Sequence, residues 1–422
     1  MRSSADNVSA ARLLVRVEGG AFLSRLLADG CAASVRVRVL GVLRWLRTLD
    51  TVLAPLCRRD LARLDPEVRA VLRIGLFEAM YLECPPALAT DGGVHLVRRL
   101  GCGSASGMVN AVLRRATSGW RKVLEGTAID VRLAHPEWLS HRWIEEFGPN
   151  RAEGAMASAQ QPAVTWAWFL DESAPARLAA EGLALEPHPW CPGAWSAPDQ
   201  VGRLIREVEA GAAYAQDPSS QVVAHVAARL SGGAGRFLDL CAAPGGKSAL
   251  IVHLGDWDPA LSGDRLFSRV RLMRPLLDRI GVAGVVAADA VKSPFKPRSW
   301  DLVLLDAPCS GTGTFRRHPE LKWRLQPDAI ARLAADQRGL LAAGLEMLAA
   351  EGVLVYATCS VEPEENEEVV RDLPAGFEHV VLEETAPDNV PCHPTTEGGV
   401  RILPNPDGDG FTMHAIRRSA PA

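Results

Sequence analysis

Two cysteines draw attention because each follows a short apolar run and sits beside hydroxyl residues: Cys309 in DAPCSGTGT and Cys359 in ATCSVEPEENEE. Residues 302–305 open after Asp301 and close on Asp306, the pattern of a buried parallel strand that delivers a carboxylate at its C-terminal end. Residues 352–357 repeat the layout and lead into Thr358, Cys359 and Ser360. In open α/β sheets, ligands and chemistry gather at such strand ends. The segment Ser310, Gly311, Thr312, Gly313 lets backbone amides and a thiol come close to a flat ligand, because glycine has no Cβ. One cysteine in such a place would be read as packing, since free cysteine is among the most buried residue types. Two in equivalent places are a candidate reactive pair.

A third constellation lies upstream. A strand over 236–240 runs into Cys241, Ala242, Ala243, Pro244, Gly245, Gly246, Lys247 and Ser248, a glycine-rich turn opening a helix. Such a turn admits a nucleotide-like ligand to the backbone at a helix N-terminus. The GxxxxGK[ST] spacing is missing, because no glycine stands five residues before Gly246, and nucleoside triphosphate hydrolysis is disfavoured. Asp264 follows about twenty residues on, where an acid can accept hydrogen bonds from a ribose. A further strand over 285–288 closes on Asp289. Acids at three strand ends, Asp264, Asp289 and Asp306, around one glycine turn suit an adenosine cofactor.

The elements that must position these residues belong to an ordinary globular chain of 422 residues, 48% hydrophobic and 23% charged, long enough for two or three domains. Apolar runs are broken well short of the ~20 residues of a spanning helix. Residues 1–20 lack the apolar core and small-residue site of a signal peptide, so a cytosolic protein is expected. Nine cysteines without metal-ligand spacing argue against a disulfide framework and against zinc. The net charge of −4 conceals a split: residues 1–120 hold 17 arginines, no lysine and 10 acids, a net +7, which leaves −11 for the rest. Arginine's planar fork suits phosphate oxygens.

From 10 to 115 the chain reads as helical throughout. Apolar residues recur at helical spacing over 35–53 and 68–82, and Asp65-Pro66 is a helix start with proline in the first turn. Trp45, Leu72, Ile74 and Leu76 read as core, whereas Arg44, Arg47, Arg98, Arg99, Arg114 and Arg115 are candidates to face RNA. Between 121 and 216 the pattern turns proline- and tryptophan-rich, with an amphipathic helix over 135–148 and a strand over 164–170, an α+β region whose tryptophans read as core. A doubly wound α/β region begins at Ser219.

Taken together, DLCAAPGGK, DAPCSGTGTFRRHPELKW and LVYATCSVEPEENEE resemble the signature segments of the RNA 5-methylcytosine methyltransferases, in particular the bacterial ribosomal RNA small-subunit methyltransferase B family. The resemblance extends to LGVLRWLRTLD, LDPEVRAVLRIGLFEAMYL and GMVNAVLRR, similar to that family's NusB-like helical domain, to HPEWLSHRW in its linker, to QDPSSQ and to DGDGF. It implies a multidomain fold: an all-α NusB-like RNA-binding domain over 1–120, a small α+β linker domain over 121–215, and an α/β Rossmann-like methyltransferase domain over 216–422. It further implies that Cys241, Ala242, Ala243, Pro244, Gly245, Gly246, Lys247, Asp264, Asp289 and Asp306 hold S-adenosylmethionine. Cys359 would be the nucleophile, Cys309 would help release the product, and Asp306 would serve the base edge. The expected partner is RNA, small-subunit ribosomal RNA first, bound by a monomer that needs no metal and no membrane. The segments TWAWFL, DWDPALSG and FTMHAIRR depart from the family pattern and bear on RNA placement more than on chemistry.

Other classes predict other things. A non-catalytic RNA-binding or antitermination-like factor would have degenerate cysteine loops, and these are intact. A thiol redox protein would not consume S-adenosylmethionine. A small-molecule methyltransferase has no need of the arginine-rich helices, whereas an enzyme acting on tRNA or another RNA would keep every feature.

Overall fold

The computed structural model describes residues 4–27 and 31–419. The chain forms two compact units, Met1–Pro162 with Phe315–Arg324, and Ala163–Thr314 with Leu325–Ala422.

The first unit is helical. Its long helices are Ser4–Glu18, Ala33–Arg44, Pro66–Tyr81, Pro86–Arg99 and Ser106–Leu124, followed by Glu137–Phe147 and Pro149–Ser158. Pro66 occupies the first turn, where its missing N–H costs nothing. The apolar stripes meet in a core that includes Leu49, Leu53, Leu72, Ile74, Leu76 and Leu113. Gly75 and Gly93 are small for a reason: a Cβ at either would come within 2.8 and 2.4 Å of the Leu113 side chain.

Arg44, expected on an RNA-facing surface, is buried instead. Its guanidinium donates to the Arg316 carbonyl at 2.8 Å. The stretch Phe315–Arg324 fills this face: Lys322 Nζ donates to the Arg44 carbonyl at 2.9 Å, Trp323 Nε1 to the Leu43 carbonyl at 2.6 Å, and Arg324 to the Val17 carbonyl at 2.9 Å. Phe315 stacks on Trp143 at 6.0 Å between ring centroids. Arg47 is likewise engaged, in ion pairs with Asp130 and Glu137. Arg98, Arg99, Arg114 and Arg115 are exposed.

The second unit begins with a small antiparallel sheet of β1 (Ala167–Phe169), β2 (Glu186–Pro187), β3 (Trp195–Ser196) and β4 (Ala213–Ala215), in the order β2-β3-β1-β4. The run over 164–170 pairs over 167–169, toward its C-terminal end, and Trp168 is buried, as expected of core. After helix Pro218–Leu230 come β5 (Ala234–Asp239), β6 (Asp256–Asp264), β7 (Gly284–Ala287), β8 (Trp300–Asp306), β9 (Leu348–Thr358), β10 (Phe377–Val380), β11 (Cys392–Pro394), β12 (Val400–Ile402) and β13 (Phe411–Arg418). They form one sheet ordered β11-β12-β13-β9-β8-β5-β6-β7, with β10 beside β13. Strands β5 to β9 are mutually parallel, and β13 returns antiparallel to β9. The apolar runs of β8 and β9 are buried on both faces, which is why they read as continuous rather than alternating. From β5 the chain winds to β6 and β7 on one side and to β8 and β9 on the other. The switch point therefore lies between β5 and β8, and it is outside the carboxyl ends of such strands that open α/β sheets bind their ligands.

Candidate active site

The residues singled out in the sequence lie at or just past the carboxyl ends of these strands. Asp306 ends β8 and pairs in register with Ala357, two residues before Cys359. The loops that follow bring Cys309 Sγ within 3.2 Å of Cys359 Sγ, with both thiols free and half-buried. Loop and strand are laced together: Gly313 N donates to the Cys359 carbonyl at 3.0 Å, and Val361 N to Thr312 Oγ1 at 3.0 Å. A Cβ on Gly313 would lie 2.2 Å from the Gly410 carbonyl oxygen, so this loop position has no room for a side chain.

The glycine turn starts at the end of β5. Gly245 adopts φ +101°, a left-handed conformation that favours glycine, and caps helix Gly246–His253 without a side-chain hydrogen bond. A Cβ at Gly246 would meet the Tyr214 ring at 2.5 Å. Lys247 turns back to the sheet and pairs with Asp306, Nζ to Oδ2, at 2.7 Å, with its ammonium 4.7 Å from the centre of the Phe411 ring. Burial alone would drain the proton from Lys247, but the Asp306 carboxylate outweighs it and holds the lysine above its ordinary value.

Asp264 ends β6, and Asp289 lies two residues past the end of β7. One oxygen of each is engaged by its own loop, Asp264 Oδ1 accepting from Leu266 N at 2.9 Å and Asp289 Oδ1 from Val291 N at 3.1 Å. Among the described residues, none donates to the second oxygen of either. Two carboxylates with one open acceptor apiece, beside an uncapped helix start, form a donor and acceptor set that fits an adenosine with ribose hydroxyls and an exocyclic amine.

The two thiols differ in surroundings. The hydrogen bond with Cys359, burial, and the charges of Cys359, Glu365 and Asp306 together hold the Cys309 thiol well above its ordinary value, so Cys309 keeps its proton.

Several residues of the site are not singled out by the sequence reading. Asp239 ends β5, is buried, accepts from Cys241 N at 3.1 Å and binds the Ser248 hydroxyl. Burial, with the nearby Asp306 charge, pushes its carboxyl up to about 7 against the pull of Ser248. A signal for it exists, since Asp239 closes an apolar run just as Asp306 does. Glu365, from the acidic run after Cys359, is fully buried with Gln337 and touches both cysteine loops.

Residues 232–417 match the family described as 16S rRNA methyltransferase RsmB/F, and residues 10–118 match the NusB family. The chain is 33% identical over 386 residues to a ribosomal RNA small subunit methyltransferase B of Sodalis glossinidius, covering 88% of this chain and 86% of the relative. It is 31% identical to the protein of the same name in Salmonella heidelberg, with 94% of each covered. The crystal structure of PH0851 superposes with a TM-score of 0.74 over 98% of this chain and 99% of that one, at 21% identity, a likeness of fold. An all-α NusB-like region followed by an α/β methyltransferase domain, the fold class expected from the sequence, is thus what the chain has.

Proposed function

Because the chain belongs to the ribosomal RNA small subunit methyltransferase B family, we propose that it methylates C5 of a cytosine in small-subunit ribosomal RNA through a covalent adduct of Cys359. The observation that carries this reading is the 3.2 Å approach of two thiols beside the Lys247–Asp306 ion pair at the switch point of the sheet.

Cytosine C5 is too weak a nucleophile to take a methyl group unaided. Addition of the Cys359 thiolate to C6 breaks the C5–C6 double bond and leaves its electron pair on C5. Asp306 serves the N3/N4 edge of the base, its carboxylate accepting from the N4 amine and from N3 once that nitrogen has taken a proton from solvent. Lys247 holds that carboxylate in place. S-adenosylmethionine supplies an electrophilic methyl group carried on a sulfonium sulfur, and Cys241 to Lys247, Asp264, Asp289 and Asp306 would hold it. With a methyl group and a proton both on C5, removal of the proton restores the double bond and expels the Cys359 sulfur.

The electrostatics support Cys309 as the residue that enables this last step. While Cys359 is free, the bond to it is the largest influence keeping the proton on Cys309. Once the Cys359 sulfur is bonded to C6 that influence is gone, and the Cys309 thiol gives up its proton more readily, so that a thiolate is available when a base is needed.

The helical domain over 1–120 would bind RNA, with the exposed Arg98, Arg99, Arg114 and Arg115 reaching phosphates, the region over 121–215 would link, and 216–422 would catalyse. The protein would act as a cytoplasmic monomer without a metal; among the described residues no helix is long and apolar enough to cross a membrane. Bisulfite sequencing of ribosomal RNA from cells with and without the protein tests the reading. One cytosine protected only when the protein is present is expected, and identical profiles would overturn it.

A further inference from the structure

Glu365 lies in the run EPEENEE, yet its side chain is fully buried, and among the described residues no lysine, arginine or histidine pairs with it. A carboxylate without a cation in such a place needs several donors to offset lost hydration. It has four. Oε1 accepts from Ser310 N at 2.8 Å and from Gln337 Nε2 at 3.1 Å, and Oε2 accepts from the hydroxyl of Ser360 at 2.6 Å and from that of Ser310. Ser310 directly follows Cys309, and Ser360 directly follows Cys359. Gln337 extends the grip, since its Nε2 also donates to the Pro308 carbonyl at 2.8 Å, on the other side of Cys309. The backbone of Glu365 is itself fixed by the Tyr356 hydroxyl, which donates to its carbonyl at 2.5 Å.

We propose that Glu365 is a positioning residue for the reaction: its buried carboxylate clamps the loops after β8 and β9 to each other and so sets the separation and orientation of the Cys309 and Cys359 thiols. The proposal rests on the reading of those thiols as the reacting pair. The geometry has one carboxylate spanning two loops whose serines, Ser310 and Ser360, are 50 residues apart in sequence. The negative charge of Glu365 has a second effect, since it is one of the influences that keep the proton on Cys309.

A residue that merely stabilises the fold and one that positions the thiols predict different results. Glu365→Gln keeps the size, removes the charge and sets an amide donor against donors. Glu365→Asp keeps the charge but shortens the reach. In a Cys359→Ser background, the rate of Cys309 alkylation by iodoacetamide against pH reads thiol ionisation without any methylation. We expect Glu365→Gln to move that profile toward acid by roughly one pH unit, the effect of removing one nearby like charge. Glu365→Asp should leave it nearly in place. In the otherwise native enzyme, both variants should lower kcat for RNA methylation about tenfold to a hundredfold, the effect of an ångström-scale misplacement, with little change in KM for S-adenosylmethionine. An unmoved alkylation profile in Glu365→Gln, together with kcat per folded molecule equal to that of the native protein, would reduce Glu365 to a structural role and overturn the proposal. Should Glu365→Gln not fold, undiminished kcat in Glu365→Asp overturns it equally. Loss of the thiol mechanism itself would show separately, as full activity in Cys359→Ala.

Discussion

Asp239 offers a test in which sign and size both follow from its surroundings. An aspartate in the unfolded chain titrates near 3.9, whereas burial at the end of β5 pushes the native carboxyl up to about 7. Between those values the unfolded state has released a proton that the native state still binds, so stability must fall as pH rises. The contribution is fully present below about pH 4 and is lost as pH passes through 7. At ~1.4 kcal/mol per unit over about three units, the loss is of order 4 kcal/mol. Asp239→Asn keeps the shape, can still accept from Cys241 N and carries no proton to lose. Its own offset at low pH is immaterial. The quantity to read is the change in ΔΔG, measured by urea unfolding of both proteins from pH 4 to pH 8, with hydrogen exchange of β5 and β8 peptides assigning the transition to the sheet unit. The variant should gain on the native protein by about 4 kcal/mol across that range. A difference that stays flat with pH, or one that shifts in favour of the native protein at pH 8, would refute the reasoning.

Phe315→Ala should destabilise the helical unit by about 3–5 kcal/mol, because it empties a fully buried ring site against Trp143, and a loss under about 1 kcal/mol in urea unfolding would count against that packing. Replacing Arg98, Arg99, Arg114 and Arg115 by Gln should weaken RNA binding and reduce the slope of log K against log salt by roughly 0.7 for each phosphate left without its arginine, with the affinity for S-adenosylmethionine unchanged; an unaltered slope would remove these arginines from the interface. Deletion of 1–120 is a poorer test, since Val17, Leu43 and Arg44 hold Phe315–Arg324. The sheet unit should bind S-adenosylmethionine without RNA, and Lys247→Met, which leaves Asp306 unpaired, should weaken that binding in calorimetric titration; equal affinity for both proteins would exclude the ion pair from the cofactor site.

The candidate site is legible in the sequence because its residues follow strand ends. Buried parallel strands read as continuous apolar runs, which places Asp264, Asp289, Asp306 and both cysteines at one edge of a sheet from the sequence alone. Asp239 obeys the same rule, but the glycine turn that follows it carries the louder signal. Glu365 cannot be found that way. An acidic run looks solvated, and only the meeting of two loops, after β8 and β9, gives a carboxylate enough donors to be buried. The fate of Arg44 is hidden for a related reason: helical periodicity marks the face of a helix but not what covers it, and here the cover is Phe315–Arg324, some 270 residues away. The four-stranded sheet is partly legible, since the apolar run containing β1 is visible while two-residue strands such as β2 and β3 leave no period to detect.

The division of labour between the two cysteines is the central claim, and a denaturing gel tests it most directly. Cys309→Ala and Cys359→Ala are each incubated with RNA substrate and S-adenosylmethionine and then denatured. If Cys359 adds to C6 and Cys309 enables release, Cys309→Ala should leave RNA covalently attached through Cys359 as a slow-migrating, denaturant-resistant band. Cys359→Ala should form no such band and no product while still binding cofactor. A band from Cys359→Ala and none from Cys309→Ala would show the roles reversed, and full activity without trapping in both would contradict thiol catalysis altogether.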